Sequence, residues 1–426
     1  MKWDAIILGA GAAGLSAAKI LSEAGCTVLI VEARQRIGGR ILTLTDTKFN
    51  LPIELGAEFI HGNPPSTWKL VHEAGLAAFD LPFAHKQLRH GRLVDLDTDD
   101  ELSPVMGGLA HLGRRDISFA EYLRRHRGGS AEARQFAVSF VEGFDAADPE
   151  IISSKSIAAE QKGVGDVENE TQFRILGGYK SLIDYLHRSC DSKRVKLQLG
   201  TPITEIHWHK SSVELLCADS RRFTAKRAII TLPLGVLQNP GAVRFVPEIS
   251  EWRRLASQLA FGTVVKAILR FREPFWEDDK NLRDAVFLHD GQAKFPTWWT
   301  ARPLRIPILT AWAGGPRAQA LAGLSREQIL GIAVESLSKL VHRSSRQLTA
   351  LMDQFVYCDW SADPYARGAY SYVAVGGLNA RAHLAKPIKS TLYFAGEALD
   401  TSGQASTVAG ALASGKRAAS QLLRVL

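Results

Sequence analysis

Cysteine is scarce in this chain. The four residues present, Cys26, Cys190, Cys217 and Cys358, stand far apart and match no metal-ligand spacing. That excludes a disulfide scaffold and a zinc module, and no bound metal is expected. The thiols read as free ones of a reducing compartment, so a cytoplasmic location is expected. Long apolar runs are missing too: none reaches the roughly 18 uncharged residues that a membrane-spanning helix needs. Dense basic blocks are also absent. Lys and Arg total 52 against 44 Asp and Glu, a formal charge of +8. This excess is scattered and carries no nucleic-acid motif, so neither nucleic acid nor membrane is an expected partner. There is no internal repeat, low-complexity tract or proline-rich linker. Domains are therefore expected to be interleaved, not tethered.

What is present is a globular mixture, 46% hydrophobic and 23% charged over 426 residues. That length suits two or three domains' worth of chain and a large core. Ala5-Ile-Ile-Leu8 fits a buried strand,. Gly9-x-Gly11-x-x-Gly14 follows, then a helix from Leu15 to Ala24 stopped by Gly25, then a second apolar strand ending at Glu32. In such a βαβ unit the first strand is structural and not a cleaved leader. Gly9 allows the tight turn, Gly11 lets backbone approach a pyrophosphate, and Gly14 lets helix and strand pack closely. The helix start offers free N–H groups to phosphates, and Glu32 can accept from ribose hydroxyls. Arg34-Gln-Arg36-Ile-Gly38-Gly39-Arg40 adds a second Gly-rich turn and a cation.

Further along, Ser118-Phe-Ala-Glu121 has the form of a capping box,. Short strands at 195–199, 203–208 and 213–218 read as a β-meander leading into a strand at 228–231. Strands are also expected at 263–272 and 306–312. Ser325-Arg-Glu-Gln328 caps a helix with Leu330, Val334, Leu337 and Val341 on one face,. A last helix spans 408–423.

The second Gly-rich turn resembles the phosphate motif of the FAD-binding amine oxidase and phytoene desaturase superfamily. Nearly the whole chain resembles the flavin-containing amine oxidases (monoamine oxidases, polyamine oxidases and lysine-specific histone demethylases), and is most similar to polyamine oxidase-like members. The likeness rests on Glu54-Leu-Gly-Ala57, Leu176-Gly-Gly-Tyr179, Thr231-Leu-Pro-Leu-Gly-Val-Leu237, Phe261-Gly-Thr-Val-Val-Lys266, the stretch from Trp360 through Asp363-Pro364 to Tyr370-Ser-Tyr372, Phe394-Ala-Gly-Glu397 and Ser406-Thr-Val408. It implies an α/β fold: a Rossmann-like FAD-binding domain, of the glutathione-reductase type with a β-meander, interleaved with an α+β substrate-binding domain. The first is expected from 1–80, 175–240 and 385–426, the second from 81–174 and 241–384. The active site is expected between them.

The resemblance also implies the chemistry. Hydride would pass from the carbon beside an amine to flavin N5, the imine would hydrolyse, and O2 would reoxidise the flavin to give H2O2. Lys266 would hold a water beside N5, and its burial would disfavour the ammonium. Tyr370 would form one wall of an aromatic cage, with Thr407 where monoamine oxidases carry the second. Ala369 stands where those enzymes carry a flavin-linked cysteine, so FAD should be noncovalent. Phe59 stands where L-amino acid oxidases carry a carboxylate-binding arginine. Glu58 offers an anion for a distal ammonium, and His61 falls in the active site of animal polyamine oxidases; alternatively Glu58 packs near the flavin and His61 stands behind the site. Glu397 would bond the ribityl or pyrophosphate region, the backbone of Ile203 the adenine, and the helix start at Val408 the flavin N1/O2 edge. The remaining expected cofactor contacts are Ala13, Ala33, Arg34, Gly39, Arg40, Leu55, Gly56, Ala57, Trp360 and Gly396. Trp298 and Trp299 either line the cavity or belong to the core.

The function implied is oxidation of a polyamine or similar extended amine. Alternatives are a monoamine or L-amino acid oxidase of the same fold and a non-catalytic flavin-binding interaction protein. A ring-system desaturase is disfavoured by the lysine strand and the Tyr370-Ser-Tyr372 motif.

Overall fold

The computed structural model describes residues 3–46, 48, 50–163 and 171–426. The apolar runs at the start of the chain become central strands of an eight-stranded sheet. Its order is Val195–Gln198, Val28–Val31, Trp3–Leu8, Arg222–Ile230, Ser212–Cys217, Ile203–His209 and Arg244–Val246. Leu392–Phe394 also joins Arg222–Ile230. Strand residues alternate between two covered faces. Ala5, Ile7, Val28 and Ile30 point into one core, with Leu15, Ala18 and Leu412. Ile6, Leu8, Leu29 and Val31 point into the other, with Leu234, Trp252 and Phe394. Burial on both faces is why these strands read as unbroken apolar runs.

The meander differs from expectation. The first expected strand, Val195–Gln198, pairs parallel with Val28–Val31 at the sheet edge. The antiparallel meander is Ile203–His209, Ser212–Cys217 and the first half of Arg222–Ile230. That last strand does two jobs. Residues 222–225 close the meander, while 228–230 pair in parallel with Leu392–Phe394, and the other edge carries Trp3–Leu8 along residues 225–230. A four-residue alternating run such as Val195-Lys-Leu-Gln198 reads alike in parallel and antiparallel surroundings, so spacing alone does not choose its partner,.

The first helix begins earlier than expected, at Ala12–Glu23, and packs against the last, Val408–Leu423. Both contacts need glycine. A Cβ on Gly14 would run into the carbonyl oxygen of Gly9, and one on Gly415 into that of Ala13.

A second, seven-stranded sheet runs Met352–Asp359, Val264–Phe271, Ile308–Gly314, Thr297–Thr300, Phe287–His289, His85–Arg89 and Arg92–Leu96. Every residue of Val264–Phe271 is buried. The helices Thr98–Met106, Phe119–Arg125, Ala131–Phe144 and Ser154–Gly163 accompany this sheet. A small sheet of Ile60–His61, Gln172–Ile175 and Ala78–Asp80 lies between the large ones in the chain's course. Among the described residues, no helix is long and apolar enough to cross a membrane.

One buried acid joins several of these pieces. Glu54 accepts from the Thr43 hydroxyl (2.7 Å) and from the backbone N–H of Tyr179 (2.6 Å), at the start of Tyr179–Arg188. Burial, opposed by those hydrogen bonds, pushes its carboxyl up to about 7. Because the folded value is raised, the stabilisation is full below the unfolded value and is lost as pH rises through about 7. Thermal melts at pH 5, 6, 7 and 8 should show the wild-type chain losing on the order of a few kcal/mol relative to Glu54→Gln across that range. Parallel pH trends for the two proteins would refute this origin.

Candidate active site

The two Gly-rich turns are locked together by one carboxylate. Glu32 accepts from the N–H of Ala10 at 2.8 Å and from that of Arg34 at 2.9 Å. Gly38 N–H then donates to the Ala10 carbonyl (2.9 Å), and Arg36 folds back on the carbonyls of Ile37, Gly39 and Ile41. Gly9 holds φ +106°, where a Cβ would stand 2.6 Å from Thr231 Oγ1. The helix Ala12–Glu23 starts on Gly11 with no side-chain cap, leaving its first N–H groups for an anion. Gly396, at φ +139°, has no atom within 4 Å of where a Cβ would project.

A cavity of about 1550 Å³ runs along this cradle. Its wall includes nearly all of the expected site residues: Gly9, Gly11, Ala13, Glu32, Ala33, Arg34, Gly39, Arg40, Gly56, Ala57, Glu58, His61, Ile203, Lys266, Trp360, Tyr370, Gly396, Glu397, Thr407 and Val408. Uncapped helix N–H groups, a buried acceptor and glycine-lined walls fit an extended dinucleotide. Two expected contacts stand behind the wall. Gly14 serves the helix–strand approach, and Leu55 uses its carbonyl to accept from Trp360 Nε1 (3.0 Å) and its N–H to donate to the Leu42 carbonyl.

Several charged groups are engaged differently from expectation. Arg40 Nη1 donates to the Ala369 carbonyl (2.6 Å) and pairs with Glu397 Oε1 (2.8 Å). The other oxygen, Glu397 Oε2, accepts from Ser371 Oγ (2.8 Å). These two residues therefore neutralise each other while lining the cavity. Thr407 acts as the N-cap of Val408–Leu423, accepting from the N–H of Gly410 (3.1 Å).

The lysine strand brings Lys266 to the wall opposite the Glu54–Ala57 turn. Gly56 must be glycine, since a Cβ would collide with the Arg40 carbonyl oxygen. Lys266 Nζ pairs with Glu58 Oε2 at 2.6 Å. The other oxygen, Glu58 Oε1, accepts from Arg174 Nε at 2.8 Å and Trp299 Nε1 at 3.1 Å. The carboxylate expected to await a substrate ammonium is thus already committed. Burial pushes the Glu58 carboxyl up, but Lys266 and Arg174 outweigh it and hold it below its ordinary value. Of the adjacent tryptophans, Trp299 faces the cavity and Trp298 the core, as strand alternation requires,.

Tyr370 donates to the carbonyl of Phe144 (2.8 Å), and burial raises its phenol far above the ordinary range. Phe144, at the end of Ala131–Phe144, is 52% exposed, lines the cavity and meets His61 edge-on at 5.7 Å. Beyond it the wall carries Asp145, Glu160 and the stacked pair His85–His289, whose Nδ1 and Nε2 stand 3.0 Å apart. Sequence reasoning missed Arg174, Phe144, Asp145 and this pair. One signal was present: Asp145 puts an acid at a helix C-terminus, where the dipole disfavours it,.

Comparison with known proteins agrees with this geometry. The family model for flavin containing amine oxidoreductase matches residues 12–423. The chain is 28% identical to polyamine oxidase 3 of Oryza sativa subsp. japonica, over 99% of this chain and 90% of that one. It is 27% identical to the human peroxisomal N(1)-acetyl-spermine/spermidine oxidase, over 98% and 94%. Among solved structures, putrescine oxidase bound to putrescine superposes with a TM-score of 0.84 at 21% identity, covering 100% of this chain and 99% of that one.

Burial lowers the His61 imidazole to about 4, so it is neutral across the working range. The pH profile of anaerobic flavin reduction between about pH 6 and 9 should therefore keep its shape in His61→Asn. Loss of a wild-type ionisation in that variant would contradict the assignment.

Proposed function

Starting from the fact that the chain belongs to the flavin containing amine oxidoreductases, we propose that it oxidises an extended amine bearing a second, distal ammonium. The observation that carries this is Asp145. Its carboxyl lines the cavity one residue beyond the Phe144 carbonyl that anchors Tyr370. Burial, with Glu160 adding to it, pushes that carboxyl well above its ordinary value. Among the described residues no cation pairs with it. A buried acid without a counter-ion takes up either a proton or a cation, and a distal ammonium is such a cation. The polyamine oxidases among the relatives support the same substrate class.

The cofactor proposed is FAD held without a covalent link: Ala369 offers no thiol, and no cysteine lines the cavity. Glu32 would hold ribose hydroxyls, and the N–H groups following Gly11 the pyrophosphate. The N-terminus of Val408–Leu423 would favour negative charge on the reduced ring. When bound, FAD supplies the hydride acceptor N5 and passes the electron pair to O2, giving H2O2, while the imine hydrolyses in water to aldehyde and amine. Tyr370 and Phe144 give aromatic faces that position the amine, and the apolar wall with Phe59, Trp299 and Trp312 keeps water from the reacting carbon,. An α-amino acid fits less well. The nearby guanidinium, Arg174, is spent on Glu58 and on the carbonyls of Arg302 and Thr300. The four cysteines are free, which supports a reducing compartment such as the cytoplasm,.

Purified protein should carry FAD, and anaerobic spermidine or putrescine should bleach it faster than benzylamine or leucine. Asp145→Asn should raise KM for the diamine about tenfold or more while changing benzylamine less than about threefold, a loss of the order of 1.4 kcal/mol or more confined to the distal charge. Equal effects on both amines would remove Asp145 from that role.

A further inference from the structure

Lys266 sits on a strand with no exposed residue, yet its ammonium is not isolated. Besides Glu58 at 2.6 Å it approaches the Gly56 carbonyl (3.4 Å), and Trp299 presents its ring face at 5.4 Å. Both oxygens of Glu58 are taken, one by Lys266 and the other by Arg174 and Trp299. Arg174 is fixed in turn. Its Nη1 and Nη2 donate to the carbonyls of Arg302 (3.0 Å) and Thr300 (3.2 Å), and its guanidinium lies 4.9 Å over the Phe59 ring. Two further titratable groups act on Lys266 from packed elements: Glu54, and Cys358, which is in register with it on Met352–Asp359. The thiol is pushed up by burial, to about 11, so it stays neutral. Glu54 titrates near neutrality and is the second potential anion.

The arrangement has two cations and one firmly ionised anion. Without Glu58, two buried like charges would face each other. Of these two cations only the lysine could relieve that by giving up its proton, because a guanidinium does not. From this geometry we infer that Glu58, clamped by Arg174 and Trp299, is a positioning residue that keeps Lys266 permanently an ammonium. Lys266, which lines the cavity, would then act on a bound flavin as a standing positive charge, and not as an amine base that gains and loses a proton during turnover. This rests on the flavin occupying the cradle as proposed above, but not on which amine is oxidised.

The test therefore uses no amine. The midpoint potential of the holoenzyme's flavin is measured by dithionite titration from about pH 6 to 10, a range that brackets deprotonation of an uncompensated buried lysine; the reference protein and every variant carry Glu54→Gln, which removes the acid that titrates near 7. The reference protein and Glu58→Asp, which retains the carboxylate, should follow one uninterrupted slope. Glu58→Gln should show a break, the potential falling more steeply once Lys266 sheds its charge, and Glu58→Gln/Lys266→Met should lose that break. An unbroken slope in Glu58→Gln, or a break that survives in the double variant, overturns the inference. A second pair covers failure of Glu58→Gln to assemble. Lys266→Arg, whose charge cannot be lost, should keep the reference potential across the range, while Lys266→Met lowers it. Equal potentials for these two variants also overturn the inference. Failure of the amine assignment would instead appear as normal potentials with no bleaching by any amine.

Discussion

A lysine placed on a fully buried strand requires an anion within contact distance, and in this protein that requirement assembles one end of the cavity. The desolvation cost of a lone buried charge is several kcal/mol. Glu58 offsets it for Lys266, but Glu58 is itself buried and needs donors of its own. Arg174 and Trp299 supply them, and the carbonyls of Thr300 and Arg302 satisfy Arg174. Four separate stretches of chain are thereby drawn to one point: the Glu54–Ala57 turn with Glu58, the strand Gln172–Ile175, the strand Thr297–Thr300 and the strand Val264–Phe271. The position of this cavity wall follows from satisfying these charges as much as from the backbone of either sheet.

The opposite wall obeys a different rule. Along the Gly-rich turns, close backbone approach does the positioning, and glycines leave that part of the cavity without side chains. Gly9, Gly11, Gly38 and Gly39 let two loops meet, and a single carboxylate, Glu32, holds both loops through N–H groups. The cavity thus has one end built from absent side chains and another built from charged and aromatic ones.

This division also decides what could be read from the sequence. The cradle was legible because each of its glycines answers a local steric demand, and local demands write fixed spacings. The lysine strand, the capping box at Ser325 and the terminal helix were legible for the same reason. The charge network was not. Glu58 and Arg174 are 116 residues apart, and a contact of that kind leaves no periodicity or motif. Glu58 therefore read as a free anion when it is the counter-ion of the lysine. The strand Val195–Gln198 misled for a related reason: its neighbour in the sheet is chosen by tertiary packing, and its four residues look the same beside either partner.

The shared strand Arg222–Ile230 carries a consequence for biosynthesis. It pairs with both Trp3–Leu8 and Leu392–Phe394, strands that are far apart in the chain. The helix that packs on Ala12–Glu23 comes later still. Until residues 392–423 have been made, the large sheet therefore keeps an apolar strand edge uncovered, and the helix Ala12–Glu23 an apolar face. Contacts of such long sequence separation form slowly, and the waiting surfaces invite aggregation.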